Sequence, residues 1–148
     1  MFTQENLSIK GELTIDRFDV TGQLVEKRKI PNLIVSSGKN LMISRLLGTT
    51  DGIMTHMGVG TGVTSPVIAN TALEIPLSAR IALTSATQTD NTVTYIASFG
   101  PGVSTGAITE AGIFNALTSG TMLCRTTFPV VNKAVGDSIV ITWVVTIS

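Results

Sequence analysis

The stretch ITEAGIFNALTSGTMLCRTTF, residues 108–128, carries an acid, a thiol and a base in one short segment: Glu110, Cys124 and Arg125. These residue types serve in active sites as general acid, nucleophile and charge stabiliser. Apolar and polar residues alternate on either side of LTSG, however, and this pattern predicts a β-hairpin. A turn at that point places residue 114 close to opposite residue 125. Glu110 and Arg125 then lie out of register, and a direct pair between them needs a β-bulge.

A glutamate in such a hairpin needs a partner if it is buried, because an unpaired buried carboxylate is costly. The candidates are Arg80, Arg125 and the backbone amides of the loop GPGVSTG, residues 100–106. We therefore interpret Glu110 as an anchor between a loop and the sheet, and not as an acid catalyst. Cys124 lies in a strand-like run, where a lone cysteine is typically a small buried hydrophobe.

The remaining chemistry-bearing residues are isolated from one another. His56 is the only histidine, in a predicted strand with no nucleophile motif beside it. One histidine and one distant cysteine cannot build a tetrahedral zinc site, and the ten acidic residues form neither a calcium loop nor a paired acid and base. The sequence thus predicts a protein that is not an enzyme and has no cofactor or metal site.

The glycine-rich run GVGTG, Gly58–Gly62, superficially resembles a phosphate-binding loop. No lysine follows it, and Pro66 stands where the helix of such a loop should begin. We expect a bend from strand to loop, with glycines at positive φ.

Charged residues make up only 14% of the chain, against about 25% in ordinary soluble domains. Ten basic and ten acidic residues give a formal net charge of zero, so charge repulsion between copies is weak. A surface of this kind suggests a protein that other subunits cover. The densest basic run, EKRK at 26–29, is predicted to be a solvated strand face, which argues against nucleic acid as a partner. The sequence shows no signal peptide and no apolar run of membrane-spanning length, so we expect a protein made in the cytoplasm with no membrane partner.

The pattern along the chain predicts an all-β fold with one helix. Residues 7–35 read as a hairpin with Gly22 in the turn, and Pro31 marks an edge or a strand end. SSGKNLMISRLLG predicts a helix near residues 38–47, capped by Ser36 or Ser37 and closed by Gly48. Two further hairpins and a C-terminal strand follow. We predict a single domain, residues 1–148, with a β-sandwich (jelly-roll-like) fold built of hairpins.

The order of these motifs resembles that of small structural proteins of tailed bacteriophages. In that group an N-L-V-x-x-x-G-K element precedes a helix, a G-x-G-T run precedes T-x-L, and E-A-G-L-F, L-x-R-x-x-F and I-x-W close the chain. Here Ile34 and Ile113 replace the commoner Val and Leu, which are volume-conserving changes. The residues that carry the resemblance, and that it implies for structure and assembly, are Asn32, Gly38, Lys39, Gly58, Gly60, Thr71, Leu73, Glu110, Gly112, Phe114, Arg125, Phe128 and Trp143.

The resemblance implies a non-enzymatic component of the virion. We expect a trimer that decorates the head as a cement protein and stabilises it, with the major capsid protein or another virion protein as partner. The alternative is a tail fibre, adaptor or baseplate component, with a host receptor or glycan as a possible ligand. A glycan-binding module would present an exposed aromatic platform, but Trp143 and Tyr95 lie in predicted strands where burial is the default. The N-terminal MFTQEN and the irregular segment 60–79 are the parts expected to reach neighbouring subunits.

Overall fold

The computed structural model describes residues 4–48 and 52–148. The described chain forms a single short helix and nine strands. These are β1 (Ile9–Phe18), β2 (Leu24–Ile34), α1 (Ser36–Arg45), β3 (His56–Gly60), β4 (Ile81–Ala82), β5 (Ser85–Thr89), β6 (Thr92–Phe99), β7 (Gly106–Phe114), β8 (Met122–Lys133) and β9 (Ser138–Ile147). The prediction of a predominantly β fold with a short helix is confirmed.

The nine strands form one antiparallel sheet in the order β4-β3-β7-β8-β2-β1-β9-β6-β5, curled into a half-barrel. The predicted β-sandwich of jelly-roll type is not confirmed, since β2 pairs with both β1 and β8 and joins the two halves into one sheet. The edge strands β4 and β5 are separated by only Leu83 and Thr84. The two edges of the sheet therefore approach each other at this point, and one apolar core fills the space inside the curl.

All three predicted hairpins are present: β1 with β2, β5 with β6, and β7 with β8. Gly22 lies in the first turn with φ +82°, a conformation that glycine adopts without steric cost. Pro31 does not end its strand, because β2 runs on to Ile34. The pairing of β2 with β8 covers only Leu33 and Ile34, so Pro31 lies where β2 has no partner on that side.

The C-terminal strand contributes one face to the core, as its alternation predicts. Ile139, Ile141, Trp143 and Val145 are all buried, and Trp143 is fully so. Cys124 is buried too, and burial raises the pKa of its thiol well above the usual value. The thiol is therefore held in its protonated, unreactive form.

The helix begins two residues earlier than predicted, at Ser36, and Val35 rather than a serine precedes it as N-cap. Ser37 instead donates a hydrogen bond to the carbonyl of Met122 (2.8 Å), which ties the helix to β8. Gly48 follows with φ +68° and closes the last turn, as expected. Of the apolar residues in and just after the helix, Leu41 is buried and Met42 half-buried, whereas Ile43, Leu46 and Leu47 are exposed.

The basic run at 26–29 lies on β2 and is matched by acids on β1. Lys27 pairs with Asp16 and Lys29 with Glu12, both at 3.3 Å. These are exposed or half-exposed pairs, of the kind worth about 0.2–1 kcal/mol each. The local positive charge of the run is thus largely balanced by its own sheet.

Candidate functional site: a surface segment held by a buried ion pair

Glu110 lies fully buried on β7, and its carboxylate is the centre of a hydrogen-bond network. Oε2 accepts from Nε of Arg125 at 3.0 Å, and Nη2 of the same guanidinium lies 2.9 Å away without a well-aligned hydrogen bond. The Arg125 side chain is only 2% exposed. The two residues therefore form an ion pair inside the protein, where both charges need further partners.

The further partners of Glu110 come from a distant part of the chain. Oε1 accepts from the backbone N–H groups of Gly62 (3.1 Å) and Ile75 (2.8 Å), and Oε2 accepts from that of Glu74 (3.0 Å). Arg125 uses Nη1 to donate to Oδ1 of Asn70 at 3.1 Å. We call this set (Glu110, Arg125, Asn70 and the amides of residues 62, 74 and 75) the Glu110 clamp. It fixes both ends and the middle of the irregular segment 61–79.

The register of the hairpin differs from the predicted one and explains the direct pair. Gly112 lies opposite Arg125 and Glu110 lies opposite Thr127, with register shifts on both sides of this stretch. Glu110 and Arg125 are thus diagonal neighbours on one face, within reach of long side chains. The turn is longer than LTSG, with residues 115–121 between the strands. The predicted anchoring role fits this geometry, and one predicted partner, Arg125, is correct.

The other two predicted partners of Glu110 are wrong. Arg80 packs over the ring of Phe114, 3.4 Å from its centroid, and donates to the carbonyls of Ala116 and Ser119 at the hairpin turn. The loop 100–106 contributes no amide to Glu110; its Gly100 carbonyl instead accepts from Nζ of Lys133 at 2.8 Å.

The glycines at the start of the segment let the Glu110 side chain approach the backbone closely, and they do not form a bend. Gly58 and Gly60 lie within β3 and have no positive φ, so the predicted bend with positive-φ glycines is wrong. A Cβ on Gly60 or Gly62 would lie less than 3.0 Å from Oε1 of Glu110. Glycine at these positions therefore makes the room that the buried carboxylate occupies.

Eight of the thirteen residues that carry the resemblance belong to the clamp or lie around it. Leu73 is buried and fills the space that side chains on Gly58 and Gly112 would occupy. Thr71 is exposed and lines a depression beside Arg125. Phe114 packs against Gly58 and Gly112 as well. The remaining five are Gly58, Gly60, Glu110, Gly112 and Arg125.

The other residues of that set lie elsewhere. Gly38 packs against the backbone of Leu123, and Lys39 is exposed on α1. Asn32 is half-buried on β2, where its side chain lies beside Cys124 and partly offsets the rise in the pKa of that thiol. Phe128 and Trp143 belong to the main core.

Asn70 is the clamp residue that the sequence analysis missed. Its Oδ1 accepts from the N–H of Val67 (2.9 Å) as well as from Arg125. Its own N–H donates to the carbonyl of Val67, which makes a turn within the segment. An asparagine among small residues is a turn signal, but nothing local points to Arg125 as its partner.

The clamped segment presents aliphatic side chains to solvent. Val63, Val67, Ile68 and Ile75 are 74%, 53%, 58% and 52% exposed. Glu74 is the only charged residue between 61 and 79. Further hydrogen bonds hold the segment, among them Ser36 N–H to Ile68 O (2.8 Å) and Thr109 Oγ1 to Gly62 O (2.8 Å). The arrangement can offer a fixed apolar surface to another molecule without a loss of loop entropy.

The described residues contain no cluster of three His, Cys, Asp or Glu side chains that could hold a metal ion. His56 is half-buried at the start of β3, with Nδ1 2.7 Å from the hydroxyl of Thr55. Within the described ranges, no helix is long and apolar enough to cross a membrane. Comparisons with protein-family models, with curated proteins and with solved structures find no match to this chain.

The lowered pKa of Glu74 leads us to expect that the folded protein loses stability in acid. The pKa of this carboxyl is lowered from the ordinary value of 4.5 by a hydrogen bond with the side chain of Thr64 and by the N–H of Val63. The pKa of Asp137 is lowered from 3.8, chiefly by the N–H of Ala134. A carboxyl with a lowered folded pKa contributes stability above its unfolded pKa and loses that contribution as the pH falls through its folded pKa.

We therefore expect the urea midpoint to stay level from about pH 7 to 5 and to fall below about pH 4.5. Urea unfolding at four pH values between 7 and 3 measures this. Glu74→Gln should flatten part of the decline, whereas Glu5→Gln should leave it as in the wild type. A midpoint that rises in acid would contradict the expected sign.

Proposed function

We propose that this protein is a non-enzymatic structural component of a tailed-phage particle, a homotrimer that docks on the head as a decoration or cement protein. The observation that carries the proposal is the Glu110 clamp, which holds segment 61–79 in one conformation with four aliphatic side chains exposed. The motif order given above supports the phage context. The major capsid protein, or another virion protein, is the partner.

Preorganisation supports a docking role for segment 61–79. Three backbone amides and one side-chain amide of the segment are satisfied by a buried ion pair. Such a network costs more to assemble than an apolar core of the same volume. Its benefit is a defined surface shape, and a preformed surface loses less entropy on binding than a mobile loop. Apolar burial against the partner then contributes about 25 cal/mol per Å² before ordering costs.

The low charge of the chain supports assembly of several copies. With ten positive and ten negative charges in 148 residues, the long-range repulsion between copies is small. We propose that the self-contacts and the particle contact together cover the exposed aliphatic residues of the segment. The chain would then act in the virion, after synthesis in the host cytoplasm.

The burial of aromatic side chains favours this function over a glycan-binding tail component. In the part of the chain that the structure describes, Trp143, Phe99, Phe114 and Phe128 are buried, while Tyr95 and Phe18 are half-buried. Sugar-binding platforms generally present aromatic faces to solvent, and no described aromatic residue is fully exposed. A role in a tail fibre, adaptor or baseplate is the outcome to adopt if the head experiment fails.

The experiment combines mass measurement with capsid binding. Light scattering of the purified protein should give the mass of three chains, and the protein should co-sediment with capsids that lack it. Ile68→Asp places a charge in the exposed aliphatic surface of the segment and should weaken co-sedimentation by on the order of tenfold or more. Val135→Asp, at a comparably exposed aliphatic residue outside the segment, is the matched control and should bind as the wild type does. A monomer that ignores capsids would overturn the head assignment.

A further inference from the structure

A second feature of the fold is a half-open cavity of about 240 Å³ between α1 and the strands β6 and β9. Nine of its eleven lining residues are apolar or aromatic. Six of them come from the elements named: Leu41 and Met42 of the helix, Val93 and Tyr95 of β6, and Val145 and Ile147 of β9. The cavity shares no lining residue with the Glu110 clamp, so an inference about it does not rest on the function proposed above.

This half-open apolar space is large compared with the voids found inside proteins. Cores are packed like organic crystals and leave few spaces larger than a water molecule. An engineered apolar cavity of roughly 150 Å³ is already large enough to bind benzene. The cavity here is larger, and it opens beside the exposed apolar residue Ile53. Its walls therefore suit an apolar group of several carbon atoms.

Two residues with hydrogen-bond donors, the exposed Arg45 and the half-buried Tyr95, line this apolar space without a partner among the described residues. Arg45, in the last turn of α1, lines the cavity and forms no ion pair with any described residue. Tyr95 is half-buried, and its hydroxyl makes no hydrogen bond within the described chain. Burial, with a smaller contribution from Cys124, raises the pKa of Tyr95 to about 12. The phenol thus stays protonated and can donate at any physiological pH.

The charges of the lining residues indicate what kind of ligand the cavity would suit. Arg45 is the only charged residue among the eleven, so none of the described residues that line the cavity carries a carboxylate. Arginine presents a fork of N–H donors that matches a carboxylate. Asn91, the one other polar lining residue besides the phenol, donates from Nδ2 to the carbonyl of Ile147. The lining residues therefore suit a ligand that combines an anionic group with an apolar body.

We propose that the cavity binds an amphiphilic monocarboxylate of the medium-chain fatty-acid class. The aliphatic chain lies between α1 and the β6–β9 face, and the carboxylate pairs with Arg45. The hydroxyl of Tyr95 supplies a second donor toward the bound molecule. Binding would also cover apolar surface on the helix side of the sheet, which the core leaves open.

The test compares octanoate with 1-octanol, which has the same chain without the charge. Both are titrated into the full-length protein, with binding followed by isothermal calorimetry and by amide chemical shifts of residues that line the cavity. We expect saturable binding of octanoate, weakened by on the order of tenfold in Arg45→Gln, since a charge-assisted contact is lost. Octanol binding should be unchanged by this substitution. Lys39→Gln removes the same charge from the same helix away from the cavity and should alter neither ligand.

A second variant tests the cavity itself. Val93→Trp fills the space and should abolish the binding of both ligands, and circular dichroism checks that this variant folds. Tyr95→Phe keeps the packing and should weaken the binding of octanoate alone. If the wild type shows no saturable binding, the proposal is overturned. Binding that survives both Arg45→Gln and Val93→Trp would overturn it equally, because the ligand would then occupy another place.

Discussion

Glu110→Gln is expected to lower the free energy of unfolding by about 3–5 kcal/mol, because it leaves the Arg125 guanidinium buried without its counter-charge. The substitution keeps the shape of the side chain and removes the charge that four donors now share, Nε of Arg125 and three backbone amides, with Nη2 of Arg125 also 2.9 Å away. Domains of this size are stable by about 5–15 kcal/mol. Chemical denaturation of the variant and the wild type measures the difference.

Two further variants make the expectation specific. Glu12→Gln is the same change in the exposed pair with Lys29 and should cost no more than about 1 kcal/mol. Glu110→Gln combined with Arg125→Met removes both charges and should recover part of the loss, since no uncompensated charge stays buried. A Glu110→Gln protein as stable as the Glu12→Gln control would show that the clamp does not stabilise the fold.

The same substitution should also release segment 61–79. Hydrogen exchange at the amides of Gly62, Glu74 and Ile75 should accelerate in Glu110→Gln, because their acceptor is weakened. The backbone amides that pair β1 with β9 lie away from the clamp in the sheet order. Their protection from exchange should fall only to the extent that the global free energy of unfolding falls. A uniform change over both regions would mean that the carboxylate has no local role in holding the segment.

Gly60→Ala is expected to destabilise the protein by about 1–3 kcal/mol, the usual cost of an added methyl group in a packed site. Its Cβ would lie less than 3.0 Å from the carbonyl oxygen of Ile75 and from Oε1 of Glu110. One of these is backbone and the other is fixed by the clamp, so neither moves easily. Since Gly60 has no positive φ, the loss comes from crowding alone. Thermal and urea unfolding would measure it.

Gly100→Ala is the matched control for this change. A Cβ there meets nothing within 4 Å, and the residue likewise has no positive φ. Alanine should be neutral or stabilising by about 0.4–1 kcal/mol, through a smaller conformational entropy of the unfolded chain. If both variants lost the same stability, the close packing of Gly60 on the clamp would not be its cause.

The clamp suggests why an ion pair is buried in a protein with so few charges. Well-packed apolar residues often give equal or greater stability than a buried pair. An apolar pair could not accept hydrogen bonds from the three amides of segment 61–79, which are bonded only to this carboxylate. The carboxylate thus links an irregular surface segment to the regular sheet beneath it.

Local patterns were sufficient to predict the three hairpins, the C-terminal strand and the first turn of this chain. Alternation with period two placed Ile139, Ile141, Trp143 and Val145 on one buried face, and Gly22 marked the first turn. The burial of Cys124 followed from its apolar neighbours in the same way. These features depend on residues close in sequence, where backbone geometry and side-chain direction are coupled directly. The helix was predicted for the same reason, although it begins two residues earlier than expected, at Ser36.

The sequence by itself therefore determined a hairpin-rich β protein with a short helix and a weakly charged surface, and it singled out Glu110 as an anchor. Only the tertiary structure decided that the hairpins join into one curled sheet, because β2 pairs with β8 across ninety residues of intervening chain. It also decided the register that places Glu110 beside Arg125, and the use of amides from residues 62, 74 and 75. Every residue except proline has the same backbone N–H, so the sequence does not indicate which side chain will accept a hydrogen bond from it. Such contacts arise only when distant segments pack together, and here they fix the surface that we propose docks on the particle.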